Sequence, residues 1–313
     1  MRSFLINGNG LVATPKWEPG CWVNITKPTQ EDKEYAIDTL GVPLAFYEDI
    51  EDVDERPRVE VEDGWCFILM RIPCKAEEYD TTGPFTTVPL GIIYKDDVFV
   101  SVCFHKNDLI PDFIQYTKRK NIKRTDNINF VFRLLLSASI WFLKYLKQIN
   151  NRTRIAEKEL ENSIRNEELQ TLLKLEKSLV YFTTSLRSND ILCHRLKNLR
   201  SSKEQFDPDL VEDVEIESKQ ALETTNIYSD ILSGMMDAYA SIIANNMNVV
   251  MKFLAIATIV LSIPNIITGA YGMNILSESM PFASNPHAFL IINAIAIVLS
   301  LVCLYYFEHK RMY

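Results

Sequence analysis

Charge is nearly absent from one long stretch of this 313-residue chain. Between Phe253 and Phe307, Glu278 is the only charged side chain other than histidine. The other 258 residues carry 40 acids and 33 bases. Such asymmetry excludes an ordinary soluble globule with evenly mixed surface charge. A basic surplus is also lacking: the net charge is −8, which argues against a nucleic-acid partner. The six cysteines form no C-x-x-C pair, so a zinc site or redox pair has no support and reduced thiols are expected. There is no G-x-x-x-x-G-K loop and no H-E-x-x-H pair, and no nucleophile–base pattern suggests an enzyme. The first dozen residues lack a long apolar run and a cleavage pattern, so the N-terminal body is expected in the cytoplasm.

What the charge-poor stretch does contain is two apolar runs. Residues 253–277 carry no charge, and neither do residues 288–307. A helix needs roughly 20 apolar residues to cross a hydrocarbon core, and both runs suffice. The connection Ile275–His287 has no Lys or Arg, whereas Lys252, Lys310 and Arg311 flank the outer ends of the runs. Positive charge stays inside, so both termini are expected in the cytoplasm of a multi-pass cell-membrane protein. Tyr305, Tyr306 and Phe307 suit an interfacial aromatic belt.

The charged body divides in two. Residues 1–125 are rich in proline and hold short β-rich runs at 65–72, 89–94 and 98–104, the last two around a turn at Lys95-Asp96-Asp97. They predict an α/β domain. Residues 126–252 are rich in Leu, Lys, Glu and Arg at helical spacing, which predicts long amphipathic helices and the start of a stalk. No proline interrupts the chain between Pro208 and Pro264, so one helix is expected to run from the body into the first span. Segments 253–274, 275–287, 288–307 and 308–313 are then first span, outer loop, second span and basic tail.

One stripe of that long helix is small or polar: Asp230, Gly234, Asp237, Ser241, Asn248, Met251, Ala255, Thr258, Ser262, Asn265 and Gly269. Close helix packing explains glycine and alanine. A water-lined conduit explains the asparagines and the acids better, and two spans enclose a conduit only if several copies form a ring. Both readings fit the spacing.

The stripe ends at Tyr271-Gly272-Met273-Asn274, directly after the first of two C-terminal spans. This motif, together with 42–69 around Pro43-Leu44, Glu48-Asp49 and Arg56-Pro57-Arg58-Val59-Glu60, Trp22–Thr26 and 229–239, resembles the CorA family of magnesium channels. The resemblance implies an α+β cytoplasmic domain, long helices and a two-span all-α membrane domain in a homopentameric funnel. Gly272, Met273 and Asn274 would form the selectivity filter, with Tyr271 supporting the loop. Asn248, Met251, Leu254, Ala255, Thr258, Ser262, Asn265 and Gly269 would line the pore, and Asp237 would form an acid ring in the funnel. A ring of amide oxygens suits Mg²⁺, which keeps its waters, because it contacts the hydration shell without binding too tightly to release.

Passive influx needs a gate, and the resemblance implies one. Cytoplasmic Mg²⁺ would bridge Asp49, with Glu48, to Asp213 of a neighbouring subunit. Mg²⁺ is thus substrate and regulatory ligand, Co²⁺ and Ni²⁺ are further candidates, and no organic cofactor is implied. The partners are the chain itself, the bilayer and divalent cations. Two features depart from the family pattern: Phe282 follows Met280-Pro281 where many members carry Glu, and Ser262 stands where some are bulky and apolar. Hydrophobic gating would then fall on Met251 and Leu254. Alternatives are a zinc transporter of the same architecture and a non-transporting membrane sensor or scaffold.

Overall fold

The computed structural model describes residues 1–76, 83–162, 166–199, 206–273, 281–282 and 285–310. By internal contacts it comprises two units, Met1–Met236 and Asp237–Tyr313.

The first unit is built on a mixed sheet. Its described strands are β1 (Arg2–Gly8), β2 (Gly10–Thr14), β3 (Trp22–Thr26), β4 (Arg58–Glu62), β5 (Trp65–Lys75), β6 (Phe85–Lys95) and β7 (Val98–Cys103), in the order β2-β1-β3-β7-β6-β5-β4. β3 pairs with β7 in parallel, and the other neighbours are antiparallel. The β6–β7 turn lies at Asp96-Asp97, inside the expected hairpin. The β4–β5 turn is Asp63-Gly64, both at positive φ, which matches the right-handed twist of a two-residue hairpin.

Both faces of the sheet are covered, so β5 reads as a continuous apolar run rather than an alternation. On one face Phe67, Leu69, Ile93, Val100 and Val102 pack beneath helix α2 (Leu44–Glu51), through Phe46, Tyr47 and Ile50. Helix α1 (Gln30–Glu34) and a π-helical turn at Tyr35–Thr39 lie just before it in the chain. Gly91 lets α2 sit close, since a Cβ there would fall 2.1 Å from the Ile50 methyl. On the other face Ile68, Met70, Ile72, Leu90 and Ile92 meet α3 (Leu109–Lys120), α4 (Asn127–Asn162), α5 (Asn166–Lys197) and the start of α6 (Pro208–Tyr271).

Two prolines lie inside strands, normally a poor place for a residue without an N–H. The structure gives each a harmless position. Arg71 donates its N–H to Asn189 on α5, so Pro73, two residues on, points its nitrogen at the same edge, past the end of β4. Pro89 lies beyond Gly91↔Val102, the last β6–β7 pair.

The long helices were expected, and among the described residues three are long and apolar enough to cross a membrane: α4, α6 and α7 (Ala288–His309). More than half of α4's apolar window is buried, against none of α6's and 6% of α7's. Burial on the sheet and on α5 thus accounts for α4, where Phe142 meets Phe182 edge-on at 5.0 Å.

In the second unit α6 carries Pro264, which cannot donate to Val260 O four residues back. Ser300 of α7 places its hydroxyl 3.4 Å from that carbonyl and 2.9 Å from Ala296 O. The α6 face toward α7 runs through half-buried Ile256, Val260, Ile263, Ile267 and Tyr271.

Candidate pore helix and acidic sites

Met251, Leu254, Ala255, Thr258, Asn265 and Gly269 are exposed, and Ser262 is half-buried. At about 100° per residue this row lies on the side of α6 opposite the face toward α7. Asn248 lies three residues before it, just under one turn, and is exposed as well. Among the described residues, and apart from its own helix turns, no atom comes within 4 Å of a Cβ built on Gly269. Thr258 and Ser262 donate their hydroxyls to Leu254 O (2.8 Å) and Thr258 O (2.7 Å), which leaves oxygen lone pairs outward.

At the far end α6 tightens into its last turn. Gly272 N–H points at Thr268 O (3.0 Å) and Gly269 O (3.2 Å), and Met273 N–H donates to Ala270 O (3.4 Å). Such shortened bonds use carbonyls that a helix end would otherwise leave bare. The Tyr271 hydroxyl donates to Pro281 O at 2.8 Å, joining the helix end to the following connection. Asn274 and Glu278 lie outside the described residues.

The acidic candidates occupy different surroundings. Asp49 on α2 accepts from Arg58 Nη2 at 2.6 Å. Burial, the largest influence, pushes its carboxyl above the usual range; Glu55 and Glu60 push the same way and Arg58 opposes them. Glu48 is mostly exposed, 3.9 Å from Lys33. Asp213 and Asp237 on α6 are exposed. Because α2 packs on one face of the sheet and Leu210, Val211 and Val214 on the other, a single chain does not bring Asp49 and Asp213 together. Among the described residues no group of three or more His, Cys, Asp or Glu is placed to hold a metal ion.

Three residues that the sequence reading passed over organise this region. Arg58 engages Asp49, Glu55 and Glu60. Arg71, whose half-buried guanidinium is pulled below its usual range chiefly by burial, donates to Val53 O (2.6 Å), Glu55 O (3.2 Å) and Thr87 O (2.6 Å). It thereby pins the acidic segment to the sheet. Asn189 closes the free edge of β5, accepting from Arg71 N (2.9 Å) and donating to Arg71 O (2.7 Å). Only the alternation in Arg58–Glu62 hinted at an edge strand in this acidic run.

Comparison with known proteins agrees with this architecture. The cobalt/magnesium transport protein CorA of Methanocaldococcus jannaschii is 26% identical over 293 residues, 92% of this chain and 90% of its own length. Its complete structure superposes with a TM-score of 0.79, covering 98% of this chain and 97% of that one at 24% identity. The cobalt/magnesium transport protein CorA of Thermotoga maritima is 24% identical over 308 residues, 93% of this chain and 82% of its own length. The ZntB cytoplasmic domain of Vibrio parahaemolyticus shares the fold at 11% identity and a TM-score of 0.59, over 79% of this chain and 98% of that one. The family described as CorA-like Mg²⁺ transporter protein matches residues 17–311, so the resemblance drawn from Tyr271–Asn274 and the α+β body holds, and the chain belongs to that family.

Proposed function

We propose that the chain is one subunit of a homopentameric channel in the cell membrane that passes Mg²⁺ inward and closes when cytoplasmic Mg²⁺ rises. The observation that supports this best is the row from Met251 to Gly269, exposed except for half-buried Ser262 and turned away from α7. Two spans cannot enclose a path, so the row becomes a lumen only when several copies present it to a common axis. The end of α6 and α7 would be the spans, with both termini in the cytoplasm. A membrane potential supplies roughly 2.3 kcal/mol per charge per 100 mV, about twice that for a divalent ion, so passive influx needs no nucleotide.

Asn274 would meet the hydrated ion at the outer mouth, with Gly272 and Met273 shaping the turn and Tyr271 bracing it. Asp237 would form a ring in the funnel. The sheet separates Asp49 from Asp213 within one chain, so an ion linking them, assisted by Glu48, would bind between neighbours. Without metal these carboxylates repel; with it the closed arrangement gains stability, as linkage requires. Co²⁺ and Ni²⁺ would follow the same path.

The test is flux of Mg²⁺, Co²⁺, Ni²⁺ and Zn²⁺ into proteoliposomes at varied internal Mg²⁺. Asn274→Ala should abolish Mg²⁺ flux, and undiminished flux would remove the filter assignment. Asp49→Asn with Asp213→Asn should raise the internal Mg²⁺ needed for closure about tenfold, roughly 1.4 kcal/mol of linkage. Zn²⁺ flux without Mg²⁺ flux would replace the reading with zinc transport, and no flux at any Mg²⁺ level would leave a sensor or scaffold.

A further inference from the structure

The guanidinium of Arg58 is used on every side. Nη2 donates to Asp49 Oδ2 at 2.6 Å, Nε to Glu60 Oε1 at 2.7 Å, and Nη1 to Glu55 Oε1. Beneath it lies the ring of Phe67, 5.5 Å from ring centre to guanidinium carbon. Arg58 opens strand β4 opposite Leu69, and its side chain is only 20% exposed. The carboxylates are held too: Asp49 by α2, which Ile50 seats against Gly91, and Glu55 through its carbonyl on Arg71. This is a fixed cation among three acids, two of them anchored, unlike a chance surface ion pair.

The arrangement bears on the Asp49 carboxylate. One oxygen is already taken, and the cluster carries two net negative charges instead of three. A divalent ion arriving at Asp49 finds Oδ1 free but Oδ2 already shared with Arg58, and is repelled by a positive charge a few ångströms away.

We infer that Arg58 is a tethered counter-cation that sets how much cytoplasmic Mg²⁺ is needed to close the channel, by holding one oxygen of Asp49 and weakening its hold on the ion. The inference rests on the proposed regulatory role of Asp49, and it concerns the threshold, whereas that proposal concerns the site. It also predicts a sign. If Arg58 merely positioned Asp49, its loss would scatter the carboxylates and weaken closure. As a competing cation, its loss strengthens closure.

The experiment measures Mg²⁺ flux against internal Mg²⁺ in proteoliposomes, with Mg²⁺ binding to the detergent-solubilised full chain by calorimetry. Arg58→Gln should lower the half-inhibiting Mg²⁺ about tenfold, the scale of repulsion between a divalent and a monovalent ion across a few ångströms of high-dielectric surface. Arg58→Lys, which keeps the charge but loses the fork, should stay within about threefold of the parent. Glu60→Gln, at a largely exposed position, should raise the threshold about threefold by removing one negative charge. It keeps the inference open to refutation even if Arg58→Gln fails to fold. An unchanged or raised threshold in Arg58→Gln, or an unchanged or lowered one in Glu60→Gln, overturns the inference provided Asp49→Asn weakens inhibition. If Asp49→Asn leaves inhibition intact, the regulatory reading itself fails, and this inference with it.

Discussion

Helices α4 and α7 are both long and apolar, yet they use that character differently. In α4 Leu135, Ala138, Phe142, Leu146 and Ile149 are buried against the sheet and α5. In α7 only Ile292 and Ala296 are buried, and Leu299, Leu301 and Val302 are exposed. The difference teaches that apolar length alone does not identify a span. What matters is whether the apolar surface already has a partner inside the protein. The two units also close bare backbone groups differently. In the first, the Asn189 side chain stands in for a missing strand; in the second, the Ser300 hydroxyl, which donates to Ala296 O at 2.9 Å, only approaches the carbonyl that Pro264 leaves bare.

The comparison is open to attack by substitution, and the largest effect belongs to α4. Phe142→Ala should destabilise the first unit by about 3–5 kcal/mol, read by urea unfolding of the detergent-solubilised chain, whereas Leu299→Ala should barely shift that transition. Equal effects would erase the distinction between the helices. Next, Ile297→Arg on exposed α7 should hinder membrane insertion by about 2.5–3.5 kcal/mol, measured as the membrane-inserted fraction. The same change at Ile140, on the exposed side of α4, should leave insertion unaltered and cost within about 0.5 kcal/mol of stability. Loss of insertion in Ile140→Arg would make α4 a span as well.

Smaller effects sharpen the second contrast. Asn189→Ala leaves a donor and an acceptor of the β5 edge bare and should cost about 1–3 kcal/mol, visible as faster amide exchange at Arg71. Ser300→Ala should cost only about 0.6 kcal/mol, because hydrogen bonds between membrane helices are weak on average. A larger cost for Ser300→Ala than for Asn189→Ala would reverse the ranking and point to a carbonyl at Val260 with no other relief.

Much of the fold was legible because the signals are local. The run from Phe253 to Phe307 announces its own environment, and the proline-free stretch after Pro208 announces one helix, which the structure extends to Tyr271. The strand runs at 65–72, 89–94 and 98–104 fall within β5, β6 and β7, apart from the last residue of the third. The Asp63-Gly64 hairpin was equally legible, but its signal was passed over. Illegible were β1 to β3, whose parallel junction with β7 is a long-range pairing. The role of Arg58 was illegible for the same reason, since in the sequence it is one base in an acidic run and only the β4 register turns it onto Asp49 and Glu60.

The sequence by itself determined where charge and apolar length lie along the chain, because both act residue by residue against the solvent. It also determined the family, through Tyr271 to Asn274 and the segments of the body that match it. Tertiary structure alone decided which apolar helix is sheathed, which acids already hold a cation, and which side chain covers the backbone groups of β5. Those outcomes depend on atoms distant in the chain meeting within a few ångströms, and no local pattern of residue types encodes that distance.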